Sequence, residues 1–247
     1  MYLLLSGEGA GDIGRCRLGG SCERPDFEEG PMAIIVDQLV AAVHYDISLL
    51  DSGLVSFVSE QHLAANKLPA KRRAMSLPGK KRPPETLYFY ENARALAALA
   101  KARRIQDKTP VIAVLFRDAD GTASAGRGHW QHKRDSMIAG FQAEDFDLGV
   151  AMIPKPKSEA WLLCATQQNS YQHCARLEDE SGNDASPNSL KKQLAAALDG
   201  AVSRADINGL LRNRTIDVTR IDMPSFNAFK EDLGRAVGLA LAAANAG

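Results

Sequence analysis

The sequence predicts an α/β protein in which helices flank a mostly parallel β-sheet and a helical region follows toward the C-terminus. Strand-like and helix-like patterns alternate through about residue 165, and only helical patterns follow. The run Val111–Phe116, VIAVLF, is continuously apolar and rich in β-branched residues, which is typical of a strand buried on both faces of a parallel sheet. We therefore expect an α/β domain over residues 1–165 and a helical extension packed on it over residues 166–247.

The composition is that of an ordinary globular protein without a dominant charge. Hydrophobic residues make up 45% of the 247 residues, and 30 Lys and Arg balance 30 Asp and Glu. This balance argues against a protein that coats nucleic acid through charge alone, although it permits a local basic surface. The apolar start is too short for a signal peptide, and no segment approaches the roughly 20 apolar residues of a membrane span. We expect a cytoplasmic protein without membrane contact.

The four cysteines give no sign of a metal site. Cys16, Cys22, Cys164 and Cys174 lack the paired spacing that is typical of zinc ligands. Cysteines of cytoplasmic proteins are ordinarily reduced. We therefore expect free thiols at all four positions.

The first half of the chain contains two predicted strands separated by a helix. Tyr2–Ser6 is a short apolar run that predicts a buried strand. From Pro31 to Leu50, apolar residues recur at spacings of three and four, which predicts a helix with Pro31 in its first turn. A second strand is expected over Leu54–Val58. The basic, proline-containing segment 67–85 then predicts an exposed loop.

The second half of the predicted sheet domain repeats this alternation. A helix rich in Ala and Leu is expected from about Glu91 to Gln106, before the VIAVLF strand. A helix over about Gln131–Ala143 leads to a strand over Phe146–Ile153. Another helix is expected to begin near Ser158.

Beyond Thr166 the pattern becomes polar and then helical. The segment Glu178–Ser189 predicts a loop, and two or three helices are expected after it. The last helix carries one apolar stripe, which predicts the face that packs on the rest of the protein: Phe226, Phe229, Leu233, Val237 and Leu241.

The segment LSGEGAGDIG, directly after the first strand, allows two interpretations. Gly9–Gly14 has the GxGxxG spacing of a dinucleotide-binding loop, but such a loop opens a helix at once and an acidic residue ends the next strand. Here the glycines precede a segment without helical periodicity, and Asp37 lies inside the predicted helix. The alternative is that Glu8 is the functional residue and the glycines give it space. A nucleotide-binding enzyme that uses Gly9–Gly14 stays as a further alternative.

Acidic residues follow two of the predicted strands. Glu8 comes at the carboxyl end of the first strand, and Asp118 and Asp120 come directly after the VIAVLF strand. Ligands of open parallel sheets bind at this edge, and strand alternation points both aspartates to one side. Neighbouring carboxylates raise one another's pKa unless a cation neutralises them. Because Mg²⁺ prefers a few carboxylates together with water and phosphate oxygens, we expect a Mg²⁺ site, with Mn²⁺ as a substitute.

A third acidic residue, Glu159, follows the next predicted strand in PKPKSEAWLL. It complements the dipole of the helix that begins there, or it serves as a further metal ligand, with Lys155 and Lys157 binding phosphate. Basic side chains near the acidic motifs predict a rim that binds phosphate or nucleic acid, or a merely solvated surface. Besides the two lysines, the candidates are Arg117, Arg127, Lys133 and Arg134.

Taken in order, these motifs resemble the TOPRIM domain of topoisomerases, bacterial primases and OLD-family nucleases. The resemblance rests on LLLSGEGAGD, LFRDADGT, IPKPKSEAWLL, SPNSLKKQL and SFNAFKEDLG, and it is closest to the stand-alone TOPRIM-like family DUF4276. It implies a Rossmann-like, mostly parallel sheet. It also implies that Glu8 is a general acid/base or metal ligand, and that Asp118, Asp120 and Glu159 complete an acidic metal site.

The function implied by the resemblance is a Mg²⁺-dependent nuclease that hydrolyses phosphodiester bonds of DNA or RNA. Related stand-alone TOPRIM proteins are associated with ATPases in phage-defence and mobile-element systems, which implies a partner ATPase here. The alternative is a catalytically quiet TOPRIM module that binds nucleic acid or such a partner. We do not expect a topoisomerase, because its tyrosine-bearing and gate domains need more residues than these 247 provide.

Overall fold

The computed structural model describes residues 1–44, 47–69, 84–119, 128–200 and 203–245. Its strands are β1 (Tyr2–Gly7), β2 (Gly14–Cys16), β3 (Ser21–Glu23), β4 (Phe27–Glu29), β5 (Val55–Ser59), β6 (Val111–Phe116) and β7 (Gly149–Met152). Its α-helices are α1 (Pro31–Ala41), α2 (Glu60–Ala65), α3 (Pro84–Asp107), α4 (Gly128–Ala143), α5 (Ser158–Thr166), α6 (Leu190–Ala197), α7 (Arg204–Arg212) and α8 (Pro224–Asn245). Short helical turns cover Gly9–Ile13, Cys174–Asp179 and Val218–Arg220.

A five-stranded sheet in the order β3-β5-β1-β6-β7 forms the centre of the fold. β1 pairs in parallel with β5 and β6, and β6 pairs in parallel with β7, whereas β3 joins the edge of the sheet antiparallel to β5. β2 and β4 form a separate antiparallel pair. The predicted fold class, a mostly parallel sheet flanked by helices with a helical C-terminal region, is confirmed.

Two groups of helices cover the sheet. α3 and α4 pack on each other and against β6 and β7. α1 and α8 pack together, and α8 also contacts β6 and β7. Strand β6 is buried along its whole length, as its continuous apolar run predicts.

The last helix is fixed to the sheet domain through an aromatic cluster. Phe226 and Phe229 of α8 pack on Trp161 of α5, with ring centroids 4.9 and 5.7 Å away. Trp161 Nε1 also donates a hydrogen bond to Ser225 Oγ over 2.9 Å. Of the predicted stripe on α8, Leu233 and Val237 are buried as well. The C-terminal helices therefore pack on the sheet region, while the proposed boundary near residue 165 stays a prediction.

Helix α1 is shorter than its periodicity predicts. The expected helix ran to Leu50, but α1 ends at Ala41. The carboxylate of Asp37 accepts hydrogen bonds from Leu49 N, Leu50 N and Ser48 Oγ at 2.8, 3.0 and 2.7 Å, which folds the following segment back onto the helix. The apolar spacing continues past the helix because Leu49 and Leu50 are buried by this return of the chain.

Other boundaries also differ from the prediction. Strands β2, β3 and β4 lie in a segment for which the sequence predicts no regular structure, because each has only three residues and no apolar alternation. Helix α3 begins at Pro84, earlier than expected, and β7 is shorter than the predicted strand. Most of the predicted basic loop, residues 70–83, lies outside the described residues.

The expectation of free thiols is wrong. Cys16 forms a disulfide with Cys22, and Cys164 forms one with Cys174. The first bond joins β2 to β3, and the second joins α5 to the helical turn Cys174–Asp179. The sequence did not reveal these pairs, because neither spacing belongs to a recognised motif and only the fold brings the sulfur atoms together.

Cysteine pairing bears on the predicted cytoplasmic location. Disulfides persist mainly in oxidising compartments, so the cysteines do not support that prediction. In the described part of the chain, no helix has the length and apolarity needed to cross a membrane. The cytoplasmic location stays a prediction.

We predict that Asp37→Ala lowers the free energy of unfolding by about 2–4 kcal/mol, because it leaves two buried backbone N–H groups without an acceptor. Asp37→Asn is the matched control, since its amide oxygen still accepts from Leu49 and Leu50. Burial raises the pKa of Asp37 above its ordinary value of 3.8, so stability from this residue is lost as pH rises through the folded-state pKa. Urea titrations from pH 3 to pH 8 should show this decline in the contribution of residue 37 to the free energy of unfolding for wild type, and not for Asp37→Asn.

We also predict that loss of either disulfide destabilises the fold by about 2–3 kcal/mol, because each cross-link closes a short loop of the unfolded chain. Cys16→Ser/Cys22→Ser and Cys164→Ser/Cys174→Ser should each unfold at lower urea concentration than wild type. Alkylation followed by mass spectrometry tests the pairing directly. Four cysteines that alkylate without reductant under native and denaturing conditions would contradict it.

Candidate functional site

The first acidic residue, Glu8, lies where the central strand β1 leaves the sheet. Gly7 precedes it, and a Cβ at Gly7 would lie 2.4 Å from the carbonyl oxygen of Phe116, so only glycine permits this approach of β1 and β6. Gly9 follows with φ +83°, and its Cβ would lie 2.5 Å from Asp12 Oδ2. The glycines therefore serve the strand pairing and give space to the carboxylate of Asp12.

The turn Gly9–Ile13 does not open a helix of the kind that binds dinucleotides. After it, the chain forms β2, β3 and β4, and α1 begins only at Pro31. Gly30, directly before α1, packs so closely on the turn that a Cβ there would lie 2.2 Å from Asp12 O. This geometry lacks the strand–glycine–helix sequence by which a dinucleotide-binding loop holds its phosphates.

Three carboxylates converge on Ser158, the first residue of α5. Asp12 Oδ1 accepts a hydrogen bond from Ser158 Oγ over 2.5 Å, and Asp118 Oδ1 accepts one from Ser158 N over 2.9 Å. Glu159 Oε2 lies 3.5 Å from the same Oγ. We call Asp12, Asp118, Ser158 and Glu159 the Ser158 group. Its carboxylates come from three chain segments, and all three contact or closely approach one residue, Ser158.

Like charges lie close together in the Ser158 group. Burial raises the pKa of Glu159 above its ordinary value of 4.5, and the negative charges of Asp12 and Asp184 act in the same direction. Lys157 opposes this effect, but its Nζ is 3.0 Å from Asp184 Oδ1. A cation bound among these carboxylates would relieve the repulsion.

Glu8 belongs to a second group of contacts at the same edge. Its Oε2 lies 2.9 Å from Arg117 Nη2, and Arg117 Nη1 lies 3.4 Å from Glu60 Oε1. The Arg117 guanidinium stacks over the ring of Tyr88, 4.5 Å from its centroid. We call Glu8, Glu60 and Arg117 the Arg117 group. Arg117 therefore contacts two carboxylates, which is a different environment from that of an exposed phosphate-binding rim.

Other predicted basic residues also have defined partners. Lys155 Nζ lies 3.8 Å from Glu178 Oε2, and Arg134 Nη2 lies 2.6 Å from Asp232 Oδ2. Lys133 is buried, and its Nζ donates to the carbonyl oxygen of Ala119 over 2.9 Å. Lys133 thus holds the backbone directly after Asp118. The roles of these residues in binding phosphate stay predictions.

Two predicted site residues, Asp120 and Arg127, lie outside the described residues. Up to Ala119, the backbone is firmly placed, because Arg117 N and Ala119 N donate to the carbonyl oxygens of Met152 and Pro154, both over 3.0 Å. This pairing continues the β6–β7 contact past the end of the strands and fixes Asp118.

Sequence reasoning did not assign a site role to Asp12, Ser158 or Glu60. A signal for Asp12 was present, because it ends the EGxxD pattern that begins at Glu8. Ser158 was expected only near a helix start, and its contacts with Asp12 and Asp118 are tertiary. No sequence motif marks Glu60 as a site residue, since its ion pair with Arg117 depends on the order of the strands in the sheet.

The donor set of the Ser158 group suits a hard cation that keeps part of its water shell. Among the described residues, no three His, Cys, Asp or Glu side chains are grouped tightly enough to hold a metal ion by themselves. Mg²⁺ is often bound through only one or two carboxylates, with water and substrate phosphate supplying the other oxygens. Asp12, Asp118 and Glu159 fit that mode of binding.

Comparison with known proteins identifies no related protein. The chain matches no family model, no curated protein and no solved structure. The TOPRIM resemblance therefore rests on the sequence motifs alone.

We predict that Glu159→Gln makes the metal-free protein more stable at neutral pH. Because the pKa of Glu159 is raised in the folded state, its contribution to stability is complete below pH 4.5 and is lost as pH rises through the folded-state pKa. The neutral amide removes this loss and keeps an acceptor toward Ser158. Urea unfolding in the presence of EDTA should show a higher free energy of unfolding for Glu159→Gln than for wild type at pH 7.5, and no difference at pH 3.5. An equal difference at both pH values would contradict the prediction.

Proposed function

We propose that the protein is a Mg²⁺-dependent nuclease that hydrolyses phosphodiester bonds of nucleic acid. The observation that supports this most is the Ser158 group, in which Asp12, Asp118 and Glu159 meet at the carboxyl edge of a parallel sheet. Carboxylates gathered in this way suit a divalent cation, and a phosphate oxygen is a natural further ligand. The TOPRIM-like motifs point to the same chemistry.

The described residues of the proposed site have roles that follow from their contacts. Asp118 and Glu159 would hold the cation, and Asp12 would supply a further carboxylate. Asp120 is added to this set on the sequence motif alone. Ser158 positions Asp12 and Asp118 through its Oγ and its backbone N–H. Bound Mg²⁺ supplies neutralisation of the charge that develops on the scissile phosphate and lowers the pKa of a coordinated water.

Glu8 and Arg117 act at the rim of the proposed site. The ion pair with Arg117 holds the Glu8 carboxylate beside the end of β1. From there Glu8 serves as the general acid/base that the resemblance implies. Arg117 is held in turn by Glu60 and by the ring of Tyr88.

One observation favours the catalytically quiet module as a second candidate. Glu8 is already engaged with Arg117, and an arginine neutralises a carboxylate without performing metal chemistry. Such a module would bind nucleic acid or a partner ATPase without cutting. The two candidates differ in metal-dependent turnover.

We predict that the purified protein cuts nucleic acid in a metal-dependent manner. Plasmid, single-stranded DNA and RNA are incubated with Mg²⁺, Mn²⁺ or EDTA. Asp118→Asn/Asp120→Asn should lose about 100-fold or more in rate, because two groups that stabilise the transition state are removed. Glu231→Gln, an exposed change on α8, is the matched control and should cut as wild type does.

Metal binding itself gives a readout that does not depend on cutting. Mg²⁺ at ten times its dissociation constant should stabilise wild type by about 1.4 kcal/mol, and Glu159→Gln by less. A stabilised wild type that does not cut, at protein excess and low salt, would favour the quiet module. If Mg²⁺ does not stabilise the wild type and no cutting is seen, the proposed metal site is overturned.

A further inference from the structure

Five arginines from separate segments gather beside the turn Gly9–Ile13. We call them the arginine surface: Arg15 in β2, Arg17 after it, Arg24 between β3 and β4, and Arg204 and Arg212 at the two ends of α7. They converge on Glu28 and Glu29 of β4. Arg15 and Arg17 flank the acidic motifs in the sequence, but nothing in the sequence predicts that Arg204 and Arg212 join them, because α7 and β2 are nearly 190 residues apart in the chain.

Glu28 organises three of these arginines. Its carboxylate lies 2.9 Å from Arg15 Nε, 3.1 Å from Arg17 Nε and 3.1 Å from Arg204 Nη2. Hydrogen bonds from Arg15, then Arg204 and Arg17, lower the pKa of Glu28 to about 2. Glu28 is therefore ionised at any ordinary pH and keeps the three guanidinium groups together.

Positive charge exceeds negative charge on the arginine surface. Glu29 contacts Arg24 and Arg212, and Asp51 lies 3.9 Å from Arg24. Three carboxylates thus face five guanidinium groups, which leaves a surplus of two positive charges in a chain whose formal net charge is zero. This is the local basic surface that the neutral composition permits.

The arginine surface presents donors to solvent. The side chains of Arg15 and Arg17 are each 58% exposed, and that of Arg212 is 44% exposed. Within the described residues, Arg15 and Arg17 use only Nε as a hydrogen-bond donor, so their terminal nitrogens have no acceptor there. A guanidinium group held by its Nε presents its paired terminal nitrogens in a geometry that matches phosphate oxygens.

The arginine surface adjoins the proposed nuclease site. Arg204 Nη1 donates a hydrogen bond to the carbonyl oxygen of Ala10 over 2.9 Å, while Nη2 of the same residue contacts Glu28. Ala10 is two residues from Asp12, whose carboxylate belongs to the Ser158 group. A single side chain therefore connects the basic surface with the turn that carries a site carboxylate.

We propose that the arginine surface binds the phosphate backbone of a nucleic-acid strand and leads that strand to the Ser158 group. The direction of the strand rests on the proposed nuclease function, whereas backbone binding does not. Contacts with phosphate carry no base readout, so binding is independent of sequence and weakens with salt. The surplus charge and the exposed terminal nitrogens favour this ligand.

The test measures binding without catalysis. Anisotropy of labelled 20-nucleotide DNA and RNA strands is recorded in EDTA at 50–300 mM NaCl. Arg15→Gln/Arg17→Gln should bind about tenfold or more weakly than wild type at 100 mM NaCl, and the slope of log Kd against log salt should fall by about 1.4. Lys108→Gln/Lys191→Gln removes the same charge from two exposed positions elsewhere and is the matched control.

The outcomes separate this proposal from the nuclease proposal. Equal binding by both double variants, or no binding of either strand by wild type, would overturn it. The proposal would also be overturned if a 20-residue polyglutamate displaced the labelled strand as effectively as the unlabelled strand does, because the ligand would then be an acidic polypeptide. Binding that depends on Arg15 and Arg17, without cutting in Mg²⁺, would support the surface and count against the nuclease. If thermal melting shows that the double variant does not fold, Arg212→Gln replaces it, with a severalfold loss expected.

Discussion

The parallel pairing of β1 with β5 and β6 is the constraint on which the rest of the structure depends. Gly7 of β1 lies opposite Ser59 of β5 and Phe116 of β6, so all three strands end at one level. The residues that follow them are Glu8, Glu60 and Arg117, and these three form the Arg117 group. Strand register alone therefore brings together charges that are about 50 residues apart in the chain. Gly7 is necessary, because any side chain there would collide with Phe116.

Two carboxylates with raised pKa values, Asp37 and Glu159, have different surroundings in this fold. Asp37 accepts hydrogen bonds from Leu49, Leu50 and Ser48, and its burial holds a turn against α1. Glu159 instead lies near the like charge of Asp12, which adds to the effect of burial. A carboxylate surrounded by donors stabilises the fold, whereas one kept beside another carboxylate is held in a less favourable charge environment. The groups that surround each carboxylate distinguish Asp37 from Glu159, since the pKa is raised in both.

The C-terminal helices contribute more than cover for the sheet. Helix α8 carries the aromatic residues that pack on Trp161 of α5, the helix that begins at Ser158. Helix α7 brings Arg204 and Arg212 to Glu28 and Glu29, and Gln38 of α1 donates to the carbonyl oxygen of Leu211 over 2.7 Å. The helical region thus supports the carboxylate group from one side and supplies two of the five arginines of the arginine surface. A truncated sheet domain would lack both.

The sequence by itself determined the fold class, the strands β1, β5 and β6, and the placement of acidic residues after strands. These features follow from local periodicity and from runs of apolar residues, which neighbouring positions specify. It failed for α1, where a tertiary contact of Asp37 ends the helix although the apolar spacing continues. It also failed for the cysteines, because pairing depends on distances that chain spacing does not give.

Only the tertiary structure decided which charges meet. The sequence predicts one acidic site for Glu8 and Asp118, and the fold shows which residues they contact: Glu8 pairs with Arg117, and Asp118 joins Asp12 at Ser158. The predicted basic residues Lys155 and Arg134 face carboxylates, whereas an exposed arginine surface assembles from β2, β4 and α7. The physical reason is that burial and periodicity are encoded locally, while an ion pair requires two side chains whose meeting depends on strand order and helix packing.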